Sequence, residues 1–131
     1  MKDNTQQLRI LNTLFAGIDV SKDSNQTCIL NFQGDKLCNF PSPNNLDGAK
    51  MIEDKILSLL SKHECNYVTI VLESTGIYSL HIANYLSSQE SLIAYDCEVY
   101  VVNPMSTSNY SKVLGAVSYT HLRAHETLSD L

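Results

Sequence analysis

The order of apolar runs and turn residues constrains the fold of this chain more than any other feature. Three short runs with strand character come first, separated by Gly, Ser, Asp and Asn, at residues 13–21, 25–32 and 36–40. Tight turns of this composition join antiparallel neighbours. We therefore expect a three-stranded antiparallel meander, preceded by a polar lead-in over residues 1–12 that is able to form a helix.

Helical and strand patterns alternate in the rest of the chain. An amphipathic helix is predicted from Leu46 to about His63, after a segment, residues 41–45, that is expected to end the sheet and to cap the helix. The later predictions are a strand at 67–72, a helix from Tyr78 to Leu86 capped by Ser74 or Thr75, a strand at 97–102 and a short helix to about Gly115.

Two strand-helix-strand crossovers would add parallel strands to the meander. Because such crossovers are right-handed, the strand at 67–72 is expected to lie beside the first strand. The predicted fold class is therefore α/β: a mixed sheet, made of the antiparallel three-strand meander plus parallel strands, flanked by helices.

Length and charge restrict the possible functions. The 131 residues suffice for one domain, and no run approaches the roughly 20 apolar residues of a membrane helix. The polar start lacks a secretory signal, so we expect no membrane association and a cytoplasmic location. A net charge of −5 with nine dispersed basic residues argues against autonomous nucleic-acid binding. The four cysteines are too scattered for a metal knuckle and are expected to be buried thiols.

Asp19 and Glu73 are the candidate site residues, because each carboxylate lies on or at the end of a predicted buried strand. A lone charge there costs several kcal/mol unless it is compensated. Two carboxylates about 4 Å apart repel by roughly 4 kcal/mol at an effective dielectric constant near 20, and a divalent cation reverses the sign. Mg²⁺ accepts a few carboxylates and keeps several waters, so the pair predicts half of a site that cleaves phosphodiesters.

A purely structural role is the alternative for both acids. Asp19 could cap the turn at Ser21, and Glu73 could cap the helix that follows it. The pattern of residues alone gives the two interpretations about equal weight.

Three segments resemble the N-terminal domain of IS110-type transposases, the DEDD family with a RuvC-like, ribonuclease H-fold catalytic domain. They are Gly-Ile-Asp-Val-Ser-Lys at 17–22, Leu-Glu-Ser-Thr-Gly-Ile-Tyr at 72–78, and Val-Val-Asn-Pro at 101–104 followed by Ser-Lys-Val-Leu-Gly at 111–115. The resemblance runs from about Leu14 to Gly115, in an expected domain over residues 13–115, and implies that Asp19 and Glu73 are the first two catalytic, metal-binding acids. It further implies Mg²⁺-dependent DNA cleavage and strand transfer, a structured guide RNA, and a homo-oligomer.

The resemblance ends after Gly115. Family members continue with Lys-Thr-Asp-x-x-Asp-Ala, which brings the third and fourth acids, whereas this chain has an unrelated segment at 116–131. We expect that segment to be a non-native addition to a truncated reading frame, and the fragment to be inactive by itself. Lys22, Asn109 and Lys112 are further candidates for contact with nucleic acid.

Two other functions stay open from the sequence. Actin-like ATPases and sugar kinases share the expected sheet order and also have an Asp near the end of the first strand. They bind phosphate with glycine-rich turns, whereas the turn here, residues 20–24, has no glycine. The remaining alternative is a non-catalytic interaction fragment.

Overall fold

A five-stranded mixed sheet forms the centre of the chain in the computed structural model, which describes residues 2–74 and 76–103. The elements are α1 (Lys2–Leu11), β1 (Thr13–Val20), β2 (Ser24–Leu30), β3 (Lys36–Pro43), α2 (Leu46–Lys62), β4 (Tyr67–Glu73), α3 (Leu80–Ser88), α4 (Glu90–Ile93) and β5 (Glu98–Val102). The strand order is β3-β2-β1-β4-β5. β1 pairs antiparallel with β2 and parallel with β4, so the predicted α/β, ribonuclease H-like mixed sheet is confirmed.

One face of the sheet packs against helices α2, α3 and α4. Every second residue of β1 and β4 is buried there with the apolar faces of the helices, as the alternation of side chains along a strand requires. The core residues of these two strands are Leu14, Ala16, Ile18, Val20, Val68, Ile70 and Leu72. The intervening residues lie on the opposite face, where Asp19 is exposed and Glu73 is half-buried.

The start of α2 is fixed by its contact with the end of β3. The Asn45 side chain caps the helix by accepting a hydrogen bond from the Gly48 backbone N–H at 2.9 Å. A Cβ atom on Gly48 would lie 1.7 Å from the Pro43 carbonyl oxygen, so only glycine allows this approach. The predicted helix and its asparagine cap are confirmed.

The prediction that Pro41 and Pro43 end the sheet was wrong, because β3 continues to Pro43. Pro41 pairs with Gln26 and Pro43 pairs with Ser24. β3 is an edge strand, so a proline nitrogen without a hydrogen can face away from the ladder at no cost in strand pairing.

The predicted start of the helix after β4 was also wrong. α3 begins at Leu80, and its N-cap residue, Ser79, makes no capping hydrogen bond through its side chain. Gly76 has φ +69°, a left-handed conformation that turns the chain away from a helix. Tyr78 consequently lies exposed in the turn rather than packing from a helix, and α4 was not predicted. The predicted helix leading to Gly115 lies outside the described residues.

The lead-in forms helix α1, which is tied to the far end of the sheet through Arg9. The guanidinium lies 2.7 Å from the Asp96 carboxylate and 3.7 Å from that of Glu98, and 4.3 Å from the centre of the Tyr67 ring. The hydrogen bond to Asp96 raises the pKa of Arg9 above the ordinary value of an arginine side chain. None of the described helices combines the length and apolar character needed to cross a membrane.

Candidate functional site

Asp19 and Glu73 are direct partners in the parallel pairing of β1 and β4. Residues paired in this way project from the same face, and neighbouring strands lie about 4.8 Å apart. Strand pairing therefore holds the two carboxylates side by side at the carboxyl ends of β1 and β4, as expected from the right-handed crossover.

Neither structural role considered for these acids is found. The turn after β1 is closed by Ser21, whose backbone N–H donates to the Ser24 carbonyl at 2.9 Å. Glu73 is separated from Leu80, the first residue of α3, by residues 74–79, so it does not lie at the capping position of that helix. Within the described residues, neither carboxylate forms a hydrogen bond or an ion pair. Two acids without a partner among the described residues therefore stand side by side on the face opposite the helices.

The acids border a groove with a volume of about 360 Å³. Gly17 lies in its floor, and a Cβ atom there would have no neighbour nearer than the Cys28 carbonyl oxygen at 4.0 Å. A ligand can therefore approach the sheet closely beside Asp19. The groove is lined by Gly17, Ile18, Asp19, Gln26, Cys28, Asn39, Val71 and Glu73.

Two amide side chains form the other side of the groove. Gln26 is the cross-strand partner of Asp19, and Asn39 is the partner of Cys28 on the edge strand. Gln26 Nε2 donates a hydrogen bond to Asn39 Oδ1. Two side-chain atoms then have no partner among the described residues: Gln26 Oε1, which can accept a hydrogen bond, and Asn39 Nδ2, which can donate one. Neither amide was predicted from the sequence, although each alternates along its strand with buried or half-buried residues.

The donor set fits a hard divalent cation. Asp19 and Glu73 supply carboxylate oxygens, and Mg²⁺ binds through one or two carboxylates while it retains several waters. No group of three or more His, Cys, Asp or Glu side chains able to hold a metal ion occurs in the part of the chain that the structure describes. The candidate metal centre is thus a two-carboxylate site.

The three candidate nucleic-acid residues have different outcomes. Lys22 lies exposed in the turn after β1, close in sequence to Asp19, and its backbone carbonyl accepts a hydrogen bond of 3.4 Å from Asn44. Its contact with nucleic acid stays a prediction. Asn109, Lys112 and the whole segment at 116–131 lie outside the described residues.

The cysteines are free thiols that are half-buried rather than fully buried as expected. Burial raises the pKa of Cys97 to about 12, with smaller contributions from the nearby carboxylates of Glu98 and Asp96. Burial also raises the pKa of Cys38 and of Cys65. Thiols that hold their protons this firmly are poor metal ligands.

A sequence profile of DEDD transposases of the IS110 type, described as a transposase family, matches residues 16–116. No curated protein matches the chain. The range of the match agrees with the segments that carry the resemblance.

Solved structures with similar folds include two of RuvC from Thermus thermophilus. One, in complex with a Holliday junction substrate, has 12% identity and a TM-score of 0.45, over 71% of this chain and 66% of RuvC. The other has 13% identity and a TM-score of 0.47, over 73% of this chain and 67% of RuvC. A Bacteroides thetaiotaomicron protein with an actin-like ATPase fold and unknown function has 14% identity and a TM-score of 0.48, over 82% of this chain and 40% of its own. The chain thus spans about two thirds of RuvC and two fifths of the third protein.

Proposed function

This chain belongs to the family of IS110-type DEDD transposases, and we propose that Asp19 and Glu73 are the first and second acids of its catalytic metal site. The parent protein would use this site for Mg²⁺-dependent cleavage and transfer of DNA strands. The proposed transposase domain spans residues 13–115.

One observation supports the proposal above all others. Asp19 and Glu73 are register partners on the face of the sheet opposite α2, α3 and α4, and neither has a hydrogen bond or ion pair with a described residue. Like charges directly opposite each other on neighbouring strands destabilise a sheet. A cation bound between the two carboxylates would offset this repulsion, and cation binding would explain why both acids occupy these positions.

The residues of the groove have separate roles in this proposal. Asp19 and Glu73 hold the ion, which when bound supplies charge stabilisation at the phosphate oxygens. Gln26 and Asn39 offer one free acceptor and one free donor to a sugar or base beside that phosphate. Because Gly17 has no side chain, a DNA strand has room to lie against the sheet at this position.

We propose that this chain is catalytically inactive by itself. The family segment Lys-Thr-Asp-x-x-Asp-Ala is missing after Gly115, and with it the third and fourth acids. A net charge of −5 also leaves phosphate binding to other parts of the intact protein. We propose that the intact protein works in the cytoplasm as a homo-oligomer with DNA and a structured guide RNA.

Calorimetric titration with Mg²⁺, and with Mn²⁺ as a second probe, tests the site. We expect weak binding to the wild-type chain that is lost in Asp19→Ala and in Glu73→Ala. The matched control is Asp54→Ala, which removes the same charge from an exposed position on α2. Equal binding by the wild type and Asp19→Ala would refute the site assignment.

A further inference from the structure

Asn44 joins the two loops that follow the proposed metal-binding acids. Its side-chain nitrogen donates to the Ser21 carbonyl oxygen at 2.8 Å, and the Lys22 carbonyl oxygen at 3.4 Å shares the same hydrogen, in the turn after β1. The same nitrogen donates to the Tyr78 carbonyl at 3.1 Å, in the loop after β4. The backbone N–H of Asn44 adds a bond of 3.0 Å to the Asp23 carbonyl.

The orientation of the Asn44 amide is determined by these contacts. Three carbonyl oxygens surround one end of the amide, so that end must be the nitrogen. The amide oxygen then faces His81 Nε2 at 2.6 Å, which must carry the hydrogen of that contact. His81 lies in the first turn of α3, so Asn44 connects the turn after β1 to the loop before α3 and to the helix itself.

These contacts lie where strand pairing between the two acid-bearing strands has ended. The pairing of β1 with β4 stops at Asp19 and Glu73, after which β1 continues through a turn into β2 and β4 continues through a loop into α3. The loop after β4 contains Gly76 in a left-handed conformation and the exposed residues Ile77 and Tyr78, so it has little apolar packing of its own. Side-chain hydrogen bonds from Asn44 supply a restraint that the ladder no longer provides.

We propose that Asn44, oriented by His81, is a positioning residue for the metal site. It holds the turn at 21–23 and the loop at 76–79 in fixed relative positions, and so limits the freedom of the two carboxylates at the ends of β1 and β4. This inference rests on the proposed function, because it assigns Asn44 a role in binding the cation at Asp19 and Glu73.

The substitution Asn44→Asp tests this inference with little change in shape. An aspartate oxygen cannot donate to the carbonyls of Ser21, Lys22 and Tyr78 and would repel them. Partners that orient metal ligands directly are worth 10–100-fold in affinity, and Asn44 acts one step further away, so we expect Mn²⁺ affinity to fall by about threefold to tenfold. Hydrogen exchange of the backbone amides at 21–24 and 76–81 should accelerate in the same variant.

Tyr85→Phe is the matched control. Tyr85 donates a side-chain hydrogen bond of 2.6 Å to Glu53 between α3 and α2, on the covered side of the sheet. Its removal costs stability but should leave Mn²⁺ affinity and exchange in the two loops unchanged. His81→Gln, which keeps a donor for the Asn44 oxygen, should bind Mn²⁺ more tightly than His81→Ala.

The outcomes separate this inference from the proposed function. If the wild-type chain binds no Mn²⁺ although Asn44→Asp accelerates exchange in both loops, the metal site is wrong and Asn44 is only a structural link. A second outcome would overturn the positioning role and leave the metal site in place. In it, Asp19→Ala no longer binds Mn²⁺, whereas a folded Asn44→Asp chain, about as stable as Tyr85→Phe, binds Mn²⁺ with wild-type affinity.

Discussion

Asp19 and Glu73 face each other across the last register pair of β1 and β4, with Gln26 opposite Asp19 on its other side. The carboxylate pair therefore has a neutral amide on one flank and, on the other, Val102 of β5, which is paired with Glu73. Neither flank supplies a positive charge. In the absence of a cation, the two acids should lower the stability of the chain.

Asp19→Asn is expected to stabilise the metal-free chain. The amide preserves the shape of the side chain and removes a like-charge contact between cross-strand partners, which destabilises a sheet. Thermal unfolding in a chelator should show a higher midpoint for the variant than for the wild type. Added Mg²⁺ should raise the midpoint of the wild type more than that of the variant, since only the wild type retains both ligands.

Asp54→Asn is the control for this comparison, because Asp54 is an exposed acid on α2 and lies on the other side of the sheet. Its midpoint should respond to Mg²⁺ as the wild type does. A lower midpoint for Asp19→Asn in the chelator would mean that the carboxylate makes a stabilising contact.

The Gln26 and Asn39 amides should contribute to binding of a DNA strand in the groove. Each variant, Gln26→Ala and Asn39→Ala, removes one side of the amide pair and leaves the other without its partner. At about 0.5–1.5 kcal/mol for a hydrogen bond, the affinity for a short single-stranded DNA should fall by about twofold to twelvefold. Because the net charge of −5 argues against tight binding by this chain alone, fluorescence anisotropy at high protein concentration, with Mg²⁺ present, measures this change in a weak affinity.

Gln33→Ala is the matched control, since Gln33 is exposed in the turn between β2 and β3 and does not line the groove. DNA affinity should be unchanged in this variant. Equal affinities for all three variants would remove the amide pair from the proposed binding surface.

The sequence allowed the position of the acids to be predicted because it depends on strand order alone. Short apolar runs bounded by turn residues identified β1 and β4, and the handedness of the crossover placed them side by side. Gln26, Asn39 and Asn44 could not be found in this way. Their roles depend on cross-strand register and on which loops meet, and neither is encoded in the local pattern around each residue.

The errors in the predicted elements have a similar origin. Prolines at 41 and 43 favour a break, but the outer position of β3 makes them harmless. The apolar spacing around Tyr78 fits a helix, but Gly76 has a left-handed backbone conformation and the helix begins only at Leu80. In both cases the tertiary position of the segment outweighed its local preference.

Gly48→Ala should strongly destabilise the chain. The new Cβ would lie 1.7 Å from the Pro43 carbonyl oxygen, and that contact involves backbone, which cannot move without shifting β3 or α2. Overpacking of this kind costs about 1–3 kcal/mol and occasionally more. Urea unfolding followed by circular dichroism should give a correspondingly lower midpoint.

Gly34→Ala provides a comparison with a different physical cause. Gly34 has φ +88°, but a Cβ atom added there would have no neighbour within 4 Å, so the cost of the substitution is limited to backbone strain. We expect a smaller loss of stability than in Gly48→Ala. A Gly48→Ala chain as stable as the wild type would show that α2 and β3 can separate freely.

The stability of the chain should decline above pH 9 in part through Cys97. Burial raises the pKa of this thiol from 9.0 to about 12 in the folded chain. The folded state therefore keeps the proton over a range in which the unfolded state releases it, and this contribution, complete below pH 9, is lost progressively as pH rises toward 12. The slope is at most about 1.4 kcal/mol per pH unit.

Comparison of the wild type with Cys97→Ala isolates this contribution from the other groups that titrate at high pH. The variant should be less stable at pH 8 because it loses a partly buried side chain, and its deficit should narrow between pH 9 and pH 10.5, as measured by urea unfolding. Val99→Ala, which removes buried apolar volume on β5 without a titratable group, should show a deficit that does not change with pH. A constant deficit for Cys97→Ala would mean that the folded chain exposes this thiol to solvent, because the physical cause of the raised pKa is burial.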